Sequence, residues 1–303
     1  ALPKMGPYGA PERTARGVPA KARRLALRGI RHYGKVTARW RVRPDYLIIG
    51  TKRGGSTSLA KWVLEHPDVR PLFPARETRK GTYFYDVNFD NGLAWYRSHF
   101  PTGLAMDLAA RKRGTRPLVG EATPYYLHHP HAPARARQDA PDAKVIALLR
   151  DPADRAYGHW GERTRNGVEW LSFEEALDAE PERLDGAEEQ MIADPAVQSF
   201  AHQHFSYVDQ GRYARGLERW LTAFPAEQVL TLRSEDLYAD PAAVYDEVLD
   251  FLDLGQYAPS ELTGWNRTSN DALTTSQRDR LHSMLDPAIA ATEAVLGRRM
   301  NWS

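Results

Sequence analysis

Residues 46–59, YLIIGTKRGGSTSL, have the types and spacing that anion binding requires. The apolar run 46–50 predicts a strand, which leads into a loop of small residues with two cations and then into a helix. Small residues let consecutive backbone N–H groups turn toward one ligand, and a helix start adds the positive end of its dipole. The segment therefore predicts a phosphate site with seven candidate contacts: Lys52, Arg53, Gly54, Gly55, Ser56, Thr57 and Ser58.

The loop is not a Walker A motif, because its cation precedes the glycines and no Gly-Lys-Ser follows. It suits a nucleotide whose 5′-phosphate departs as a stable anion. Arg53 would then neutralise charge on the bridging oxygen, while Ser56 and Thr57 would donate hydrogen bonds. A glycine-rich strand-to-helix turn without a ligand is the alternative interpretation.

Arg150 is expected at the same edge of the sheet as this loop, because it follows a strand that should be buried. Residues 144–149 are apolar without alternation after their first residue, as in a strand covered on both faces, and Pro152 stands where a helix can begin. Ligands of open α/β sheets bind beyond the carboxyl ends of the strands, so we expect Arg150 near Arg53. Arg155 is predicted to form an ion pair with a neighbouring aspartate or to contact the ligand.

The remaining chain alternates predicted strands with predicted helices, which favours an α/β fold with a central parallel sheet between layers of helices. A capping box of Ser172 and Glu175 predicts one helix start. The predicted strands are 46–50, 69–73, 118–120, 144–149 and 229–232, and the predicted helices are 56–65, 92–99, 173–179, 211–224, 242–252 and 276–296.

Charge divides the chain into a basic arm and one domain. Residues 1–43 contain twelve Lys or Arg and one acid, whereas residues 44–303 have a net charge of −9. We predict an arm over 1–43, with a short basic helix over 20–36, and a single domain over 44–303. The arm is a candidate for contact with an anionic partner or membrane surface, for a cover over the active site, or for a solvated leader.

Composition excludes several classes of protein. The chain has no cysteine and no apolar run of 18 residues, which predicts a soluble, cytoplasmic protein. The histidines at 128, 129 and 131 lie in a proline-rich loop and form no H-E-x-x-H motif, so we predict no metal. No nucleic-acid partner is expected. The 33 Arg against eight Lys suggest a bacterial source with a GC-rich genome.

Three motifs resemble sulfotransferases that use 3′-phosphoadenosine 5′-phosphosulfate (PAPS). Residues 53–59, RGGSTSL, fit the family's 5′-phosphosulfate loop [KR]-x-G-[TS]-T-x-L. Residues 150–158, RDPADRAYG, resemble its 3′-phosphate signature R-[DN]-P-x-[DE]-R-x-x-S, except that Gly158 replaces the serine. Residues 211–221, GRYARGLERWL, resemble the G-x-Y-x-x-x-L-x-x-W-L helix of heparan-type and bacterial members. The resemblance runs from residue 44 to residue 302.

The resemblance implies the P-loop sulfotransferase fold and transfer of a sulfuryl group from PAPS to a hydroxyl or amine, in line and without metal. It implies that Arg150 holds the 3′-phosphate and that Gly158 lies where a serine hydroxyl would add a donor. Arg267 occupies the place of the family's later basic loop and is a third candidate phosphate ligand.

The family's general base is a Glu or His, and its heparan-type branch has a Glu after the second strand. Glu77, in the sequence RETR, is our first candidate, and Glu121, in the family's E-x-x-P-x-Y segment, is the second. Alignment on residues 84–86 would instead place Gly81 at the catalytic position. Tyr125 and Tyr126 are candidates for the acceptor pocket or for the core.

Two other functions stay open: a P-loop kinase or other phosphotransferase, and a noncatalytic nucleotide-binding protein, which Gly158 favours. The acceptor could be a small molecule, a glycan or a lipid. Residues 161–203 are expected to shape its site, but their sequence identifies no acceptor.

Overall fold

A computed structural model of the protein describes residues 20–74, 80–262 and 273–302. It contains the strands β1 (Tyr46–Gly50), β2 (Val69–Arg70), β3 (Leu118–Ala122), β4 (Lys144–Leu149) and β5 (Val229–Arg233). They form one parallel sheet in the order β2-β3-β1-β4-β5. The predicted α/β architecture is therefore confirmed.

Helices cover both faces of this sheet. The described residues include α1 (Ala20–Val36), α2 (Ser56–Glu65), α3 (Gly92–Arg97), α4 (Gly103–Arg113), α5 (Ala132–Asp139), α6 (Pro152–Arg165), α7 (Phe173–Leu184), α8 (Ala187–Ala193), α9 (Phe200–His204), α10 (Tyr213–Ala223), α11 (Ser234–Ala239), α12 (Pro241–Phe251) and α13 (Thr275–Leu296). In β1, Leu47 and Ile49 join one core cluster while Tyr46 and Ile48 join another. Successive residues of a strand point to opposite faces, so both faces are buried.

β1, β4, α1 and α2 have the bounds that the sequence predicts, and the capping box at the start of α7 is present. β2 is shorter than predicted: it ends at Arg70, because Pro71 has no N–H to continue a ladder. β3 extends two residues beyond its predicted end and pairs with β1 up to Ala122. The sequence did not predict α4, α5, α8, α9 or α11.

The parallel arrangement brings the carboxyl ends of four strands to one edge of the sheet. Ile48 of β1 lies opposite Ala122 of β3 and Ile146 of β4. The loop after β1, the segment after β3, Arg150 after β4 and the start of α11 therefore emerge side by side.

The end of the basic segment packs against the domain. Arg31 of α1 donates hydrogen bonds to the carbonyl oxygens of Ser98 (3.1 Å) and Phe73 (2.9 Å). Arg41 is buried, its guanidinium 4.3 Å from the centroid of the Phe73 ring. These contacts fix the orientation of α1 relative to the sheet. None of the described helices combines the length and the hydropathy needed to cross a bilayer.

Candidate active site

The loop after β1 is held in place by hydrogen bonds with two neighbouring elements. The N–H of Thr51 donates to the carbonyl of Leu148 in β4 (2.5 Å), and the hydroxyl of Ser234 donates to the carbonyl of Gly54 (2.5 Å). Gly55 has φ 93° at the start of α2, and a Cβ there would lie 2.7 Å from Leu237. Glycine is required at that position. The loop therefore leads directly into the N-terminus of α2, where the positive end of the helix dipole favours an anion.

Arg53, Arg150 and Gly158 meet at this loop. Nη1 of Arg150 donates to the carbonyl oxygen of Arg53 at 3.2 Å. A Cβ added to Gly158, in α6, would lie 3.6 Å from Nη1 of Arg150 and 3.6 Å from Nε of Arg53. The predicted proximity of the two phosphate motifs is confirmed. The small residue at 158 leaves space beside both guanidinium groups.

Lys80 belongs to the same site, although the sequence did not single it out as a ligand. Its Nζ donates to the hydroxyl of Thr57 at 2.7 Å. Burial lowers the pKa of Lys80 to about 8, an effect that Glu162 opposes and Arg53 reinforces. The contact joins the segment before residue 82 to the first turn of α2, a long-range contact that no local motif indicates.

Lys52 points away from Lys80, toward α6. Its Nζ lies 2.8 Å from Nε2 of the fully buried His159, and burial lowers the pKa of Lys52 to about 7. Burial also lowers the pKa of His159 well below its usual range, reinforced by Lys52. A neutral imidazole can accept a hydrogen bond from the ammonium, so His159 supports Lys52 rather than adding a second positive charge.

Cations outnumber carboxylates among the described residues at this edge. Burial alone would raise the pKa of Glu162, but Lys52, Arg163 and Arg53 together hold it below its usual range. Asp154 lies 3.7 Å from Arg150 and also pairs with Arg278. The cations Lys52, Arg53, Lys80, Arg150 and Arg163 therefore lie at one edge of the sheet, and an anionic ligand there would be stabilised by their positive charge.

Among the described residues, Arg155 forms no ion pair with the neighbouring aspartates Asp151 and Asp154. Its side chain is fully buried and donates a hydrogen bond to the carbonyl of Tyr207. Asp151, one of the aspartates considered as its partner, instead caps α6 by accepting from the N–H groups of Ala153 (2.8 Å) and Asp154 (3.0 Å).

Glu121 lies in β3 with a carboxylate that is almost completely enclosed by donors. Oε2 accepts from the N–H (2.5 Å) and hydroxyl (2.7 Å) of Thr82 and from the hydroxyl of Thr123 (3.3 Å). Oε1 accepts from the hydroxyls of Tyr96 and Tyr126, both at 2.9 Å. A carboxylate has about four acceptor positions, so these five donors leave none directed at an acceptor substrate.

Gly81 has no room for a side chain. A Cβ at this position would lie 2.2 Å from the carbonyl oxygen of Ala122 and 2.6 Å from the hydroxyl of Thr123. With this backbone, position 81 cannot carry a catalytic glutamate. Glu77 and Arg267 lie outside the described residues.

Tyr125 and Tyr126 are both buried and contribute to packing. The Tyr125 hydroxyl contacts Nδ1 of His202 at 2.7 Å, and His202 stacks on His128 with ring centroids 4.1 Å apart and planes 14° from parallel. Ligand atoms of His128, His202 and Asp209 lie within 4.8 Å of one another. A metal bound through two imidazoles lies in the plane of each ring, and nearly parallel stacked rings do not offer such a point.

Comparison with known proteins identifies the class. The model of the Sulfotransferase domain family matches residues 43–281, and the chain belongs to this family. A solved sulfotransferase from Alicyclobacillus acidocaldarius superposes with a TM-score of 0.63 and 26% identity, covering 86% of this chain and 98% of its own.

Curated relatives are longer than this chain. Human bifunctional heparan sulfate N-deacetylase/N-sulfotransferase 3 is 31% identical over 69% of this chain and 22% of its own length. Human heparan sulfate glucosamine 3-O-sulfotransferase 3B1 is 29% identical over 74% of this chain and 50% of its own. The membrane-associated sulfotransferase kil1 of Dictyostelium discoideum is 22% identical over 86% and 66%. The chain therefore spans between about a fifth and two thirds of the length of these relatives.

Proposed function

We propose that this protein transfers a sulfuryl group from PAPS to a hydroxyl or amine of an acceptor. The observation that carries the proposal is the meeting of Arg53, Arg150 and Gly158 beside the start of α2. Two guanidinium groups with a glycine-lined space between them suit a nucleotide that has separate 5′ and 3′ phosphates.

The residues present fit this donor. Gly54 and Gly55 let the loop pack closely against the protein, since a Cβ at Gly54 would lie 2.7 Å from Thr51 and one at Gly55 would lie 2.7 Å from Leu237. Lys52, Ser56, Thr57 and Ser58 would complete the cradle, together with the N–H groups at the start of α2. Arg150 would bind the 3′-phosphate, with Gly158 leaving it space, and Arg267 stays a candidate for the same group.

PAPS supplies the sulfuryl group. Arg53 would neutralise the charge that develops on the bridging oxygen, and Lys80, held by Thr57, is placed to act beside it. Glu77 would accept the proton of the acceptor. The enclosed carboxylate of Glu121 and the crowding at Gly81 support this assignment, because neither offers a free base. We assign Glu121 to positioning residue 82 and the tyrosines around it.

For the acceptor, the names of the two human relatives support a glycan, with either an amine or a hydroxyl as the nucleophile. A bacterial source, a cytoplasmic location, the absence of a metal and the division into an arm over 1–43 and a domain over 44–303 stay predictions from the sequence.

Calorimetry with 3′-phosphoadenosine 5′-phosphate (PAP), AMP and ATP tests the donor site. We expect strong preference for PAP, because the 3′-phosphate adds a charge-assisted contact with Arg150. Equal affinity for PAP and AMP would contradict the proposal, and preference for ATP would favour a phosphotransferase. Turnover of labelled PAPS with glycan, phenol and lipid acceptors then separates an enzyme from a noncatalytic nucleotide-binding protein.

A further inference from the structure

Four large apolar side chains are exposed on one side of the molecule, where the end of α1 meets the start of α4. They are Val36 (62% exposed), Trp40 (54%), Leu104 (70%) and Leu108 (56%), and we refer to them as the Trp40 face. Leucines four residues apart on a helix share one side of it, so Leu104 and Leu108 point the same way.

The two halves of the Trp40 face are joined through the backbone. Arg41 and Thr102 form an antiparallel bridge, and the N–H of Val42 donates to the carbonyl of Pro101 at 3.1 Å. The carbonyl oxygen of Trp40 lies 3.6 Å from the position of a Cβ on Gly103, the residue before Leu104. The segment that follows α1 and the segment that begins α4 are therefore neighbours in the structure.

Exposed cations lie next to this face, together with the exposed carboxylate of Asp107 on α4. The guanidinium of Arg39 lies 4.1 Å from the centroid of the Trp40 ring. Arg111 and Lys112 follow Leu104 and Leu108 on α4, at helical spacings of seven and four residues, and Lys35 precedes Val36. Within the described part of the chain, none of these four cations has a carboxylate at ion-pair distance. Leucine and tryptophan ringed by unpaired Lys and Arg are typical of surfaces that lie in a membrane interface.

The distribution of charge along the chain indicates what binds to the Trp40 face. Residues 1–43 carry twelve bases and one acid, while the remainder is net negative at −9, so positive charge is concentrated on the segment that provides half of the Trp40 face. We propose that the Trp40 face binds the surface of a bilayer that contains anionic lipids. The apolar side chains would enter the headgroup region, and Arg39, Arg111 and Lys112 would contact lipid phosphates with their charged ends.

The test is sedimentation of the full chain with vesicles of phosphatidylcholine containing about 30% phosphatidylserine, and with vesicles of phosphatidylcholine alone, at roughly 0.15 M salt. We expect binding to the anionic vesicles that is at least about tenfold stronger than binding to the neutral ones. Equal binding to both, or to neither, overturns the proposal.

Two pairs of substitutions locate the contact. Leu104→Ser with Leu108→Ser removes apolar area, and Arg111→Glu with Lys112→Glu reverses charge; each should weaken binding at least about tenfold. Ile192→Ser and Arg299→Glu are the matched controls, since both residues are exposed and lie on other elements. Controls that weaken binding as much as the test variants would refute the location.

A second measurement uses conservative replacements of two exposed tryptophans, Trp40 and Trp170. Brominated lipids quench the fluorescence only of tryptophans that touch the lipid chains. Trp40→Phe should therefore reduce the fraction of tryptophan fluorescence that is quenched, whereas Trp170→Phe should not. Unchanged quenching in Trp40→Phe overturns the proposal. So does sedimentation equilibrium showing a dimer that dissociates when Leu104 and Leu108 are replaced, because the face would then bind a second copy.

Discussion

We call the edge of the sheet that carries Arg53, Arg150 and Gly158 the phosphate edge. It differs from the surroundings of the Glu121 carboxylate in how far apart along the chain the contributing residues lie. At the phosphate edge, the loop between β1 and α2 contributes consecutive residues, and a second short motif contributes Arg150 and Gly158. Around Glu121, the donors come from Thr82, Tyr96 and Tyr126, which lie in three separate segments. One region is built from local motifs and the other from long-range packing.

This difference supports our proposal that Glu121 positions its neighbours and that the base is a different residue. The pKa of Glu121 is raised by burial, yet its oxygens are already occupied by hydroxyl and amide donors. A carboxylate in that setting organises the core beneath the site. At the phosphate edge, by contrast, cations outnumber carboxylates among the described residues, and this positive charge would stabilise a bound anion.

The largest effect should come from Arg53→Ala. Removing the guanidinium at the bridging oxygen should lower turnover at least about a hundredfold, because the charge that develops there loses its stabilisation. Arg53→Lys, which the family pattern allows, is the matched control and should keep most of the activity. Initial rates with labelled PAPS provide the measurement, and near-normal turnover in the alanine variant would remove Arg53 from the mechanism.

Glu77→Gln and Glu121→Gln separate the two carboxylates. Glu77→Gln cannot take a proton, so turnover should fall by roughly a hundredfold with PAP affinity nearly unchanged. Glu121→Gln replaces an acceptor oxygen with an N–H₂ donor facing hydroxyls, and should lower the free energy of unfolding by about 1–3 kcal/mol.

The readouts are turnover and urea denaturation, measured on both variants. A folded but inactive Glu121→Gln, beside an active Glu77→Gln, would transfer the role of base to Glu121.

Local signals predicted much of the fold and the phosphate edge. The bounds of β1 and β4 follow from their apolar runs, α2 begins directly after the glycines of the loop, and the Arg53 and Arg150 motifs are each contiguous. α4 escaped prediction because Leu104 and Leu108 are exposed, whereas the buried positions of α4 are Met106 and Ala109. The two leucines of α4 therefore mark its exposed side, whereas the side that packs on the core carries Met106 and Ala109.

Contacts of distant side chains outside the two phosphate motifs could not be predicted. Lys80 donates to Thr57, which lies 23 residues earlier at the start of α2, and no spacing in the sequence encodes that contact. Likewise, the enclosure of Glu121 depends on Tyr96 of α3, 25 residues away. The same limit applies to Arg155, which binds the carbonyl of Tyr207 rather than a nearby aspartate.

Arg150→Ala tests the 3′-phosphate contact. A charge-assisted hydrogen bond contributes about 1.5–3 kcal/mol, so PAP affinity should fall by roughly 10- to 100-fold. AMP lacks the 3′-phosphate, and its affinity should change by less than about threefold. Calorimetry on both ligands gives the comparison, and equal losses would show that Arg150 supports the loop rather than the phosphate.

Lys80 should make PAP binding depend on pH. Its pKa in the free protein is about 8, and a bound anion would raise it, so binding takes up a proton above pH 8. PAP affinity should therefore fall as pH rises from 8 to 9.5, by at most about tenfold per pH unit for one group. Lys80→Arg should remove this dependence, because arginine stays charged. A profile that is unchanged in Lys80→Arg would assign the titration to Lys52, whose pKa is about 7.

The smallest effect is expected from Gly158→Ser, which tests whether the 3′-phosphate lacks a hydrogen-bond donor at residue 158. A Cβ at residue 158 would have ordinary contacts of 3.6 Å with Arg150 and Arg53, so the backbone can accept serine without strain. Its hydroxyl would add one donor to the 3′-phosphate, worth about 0.5–1.5 kcal/mol, and PAP affinity should rise by roughly two- to tenfold. Gly158→Ala is the control, because it adds the Cβ without the hydroxyl and should not tighten binding. If Gly158→Ser and Gly158→Ala both weaken PAP, the space at residue 158 is itself filled by the ligand, and the 3′-phosphate lies closer to α6 than a serine would permit.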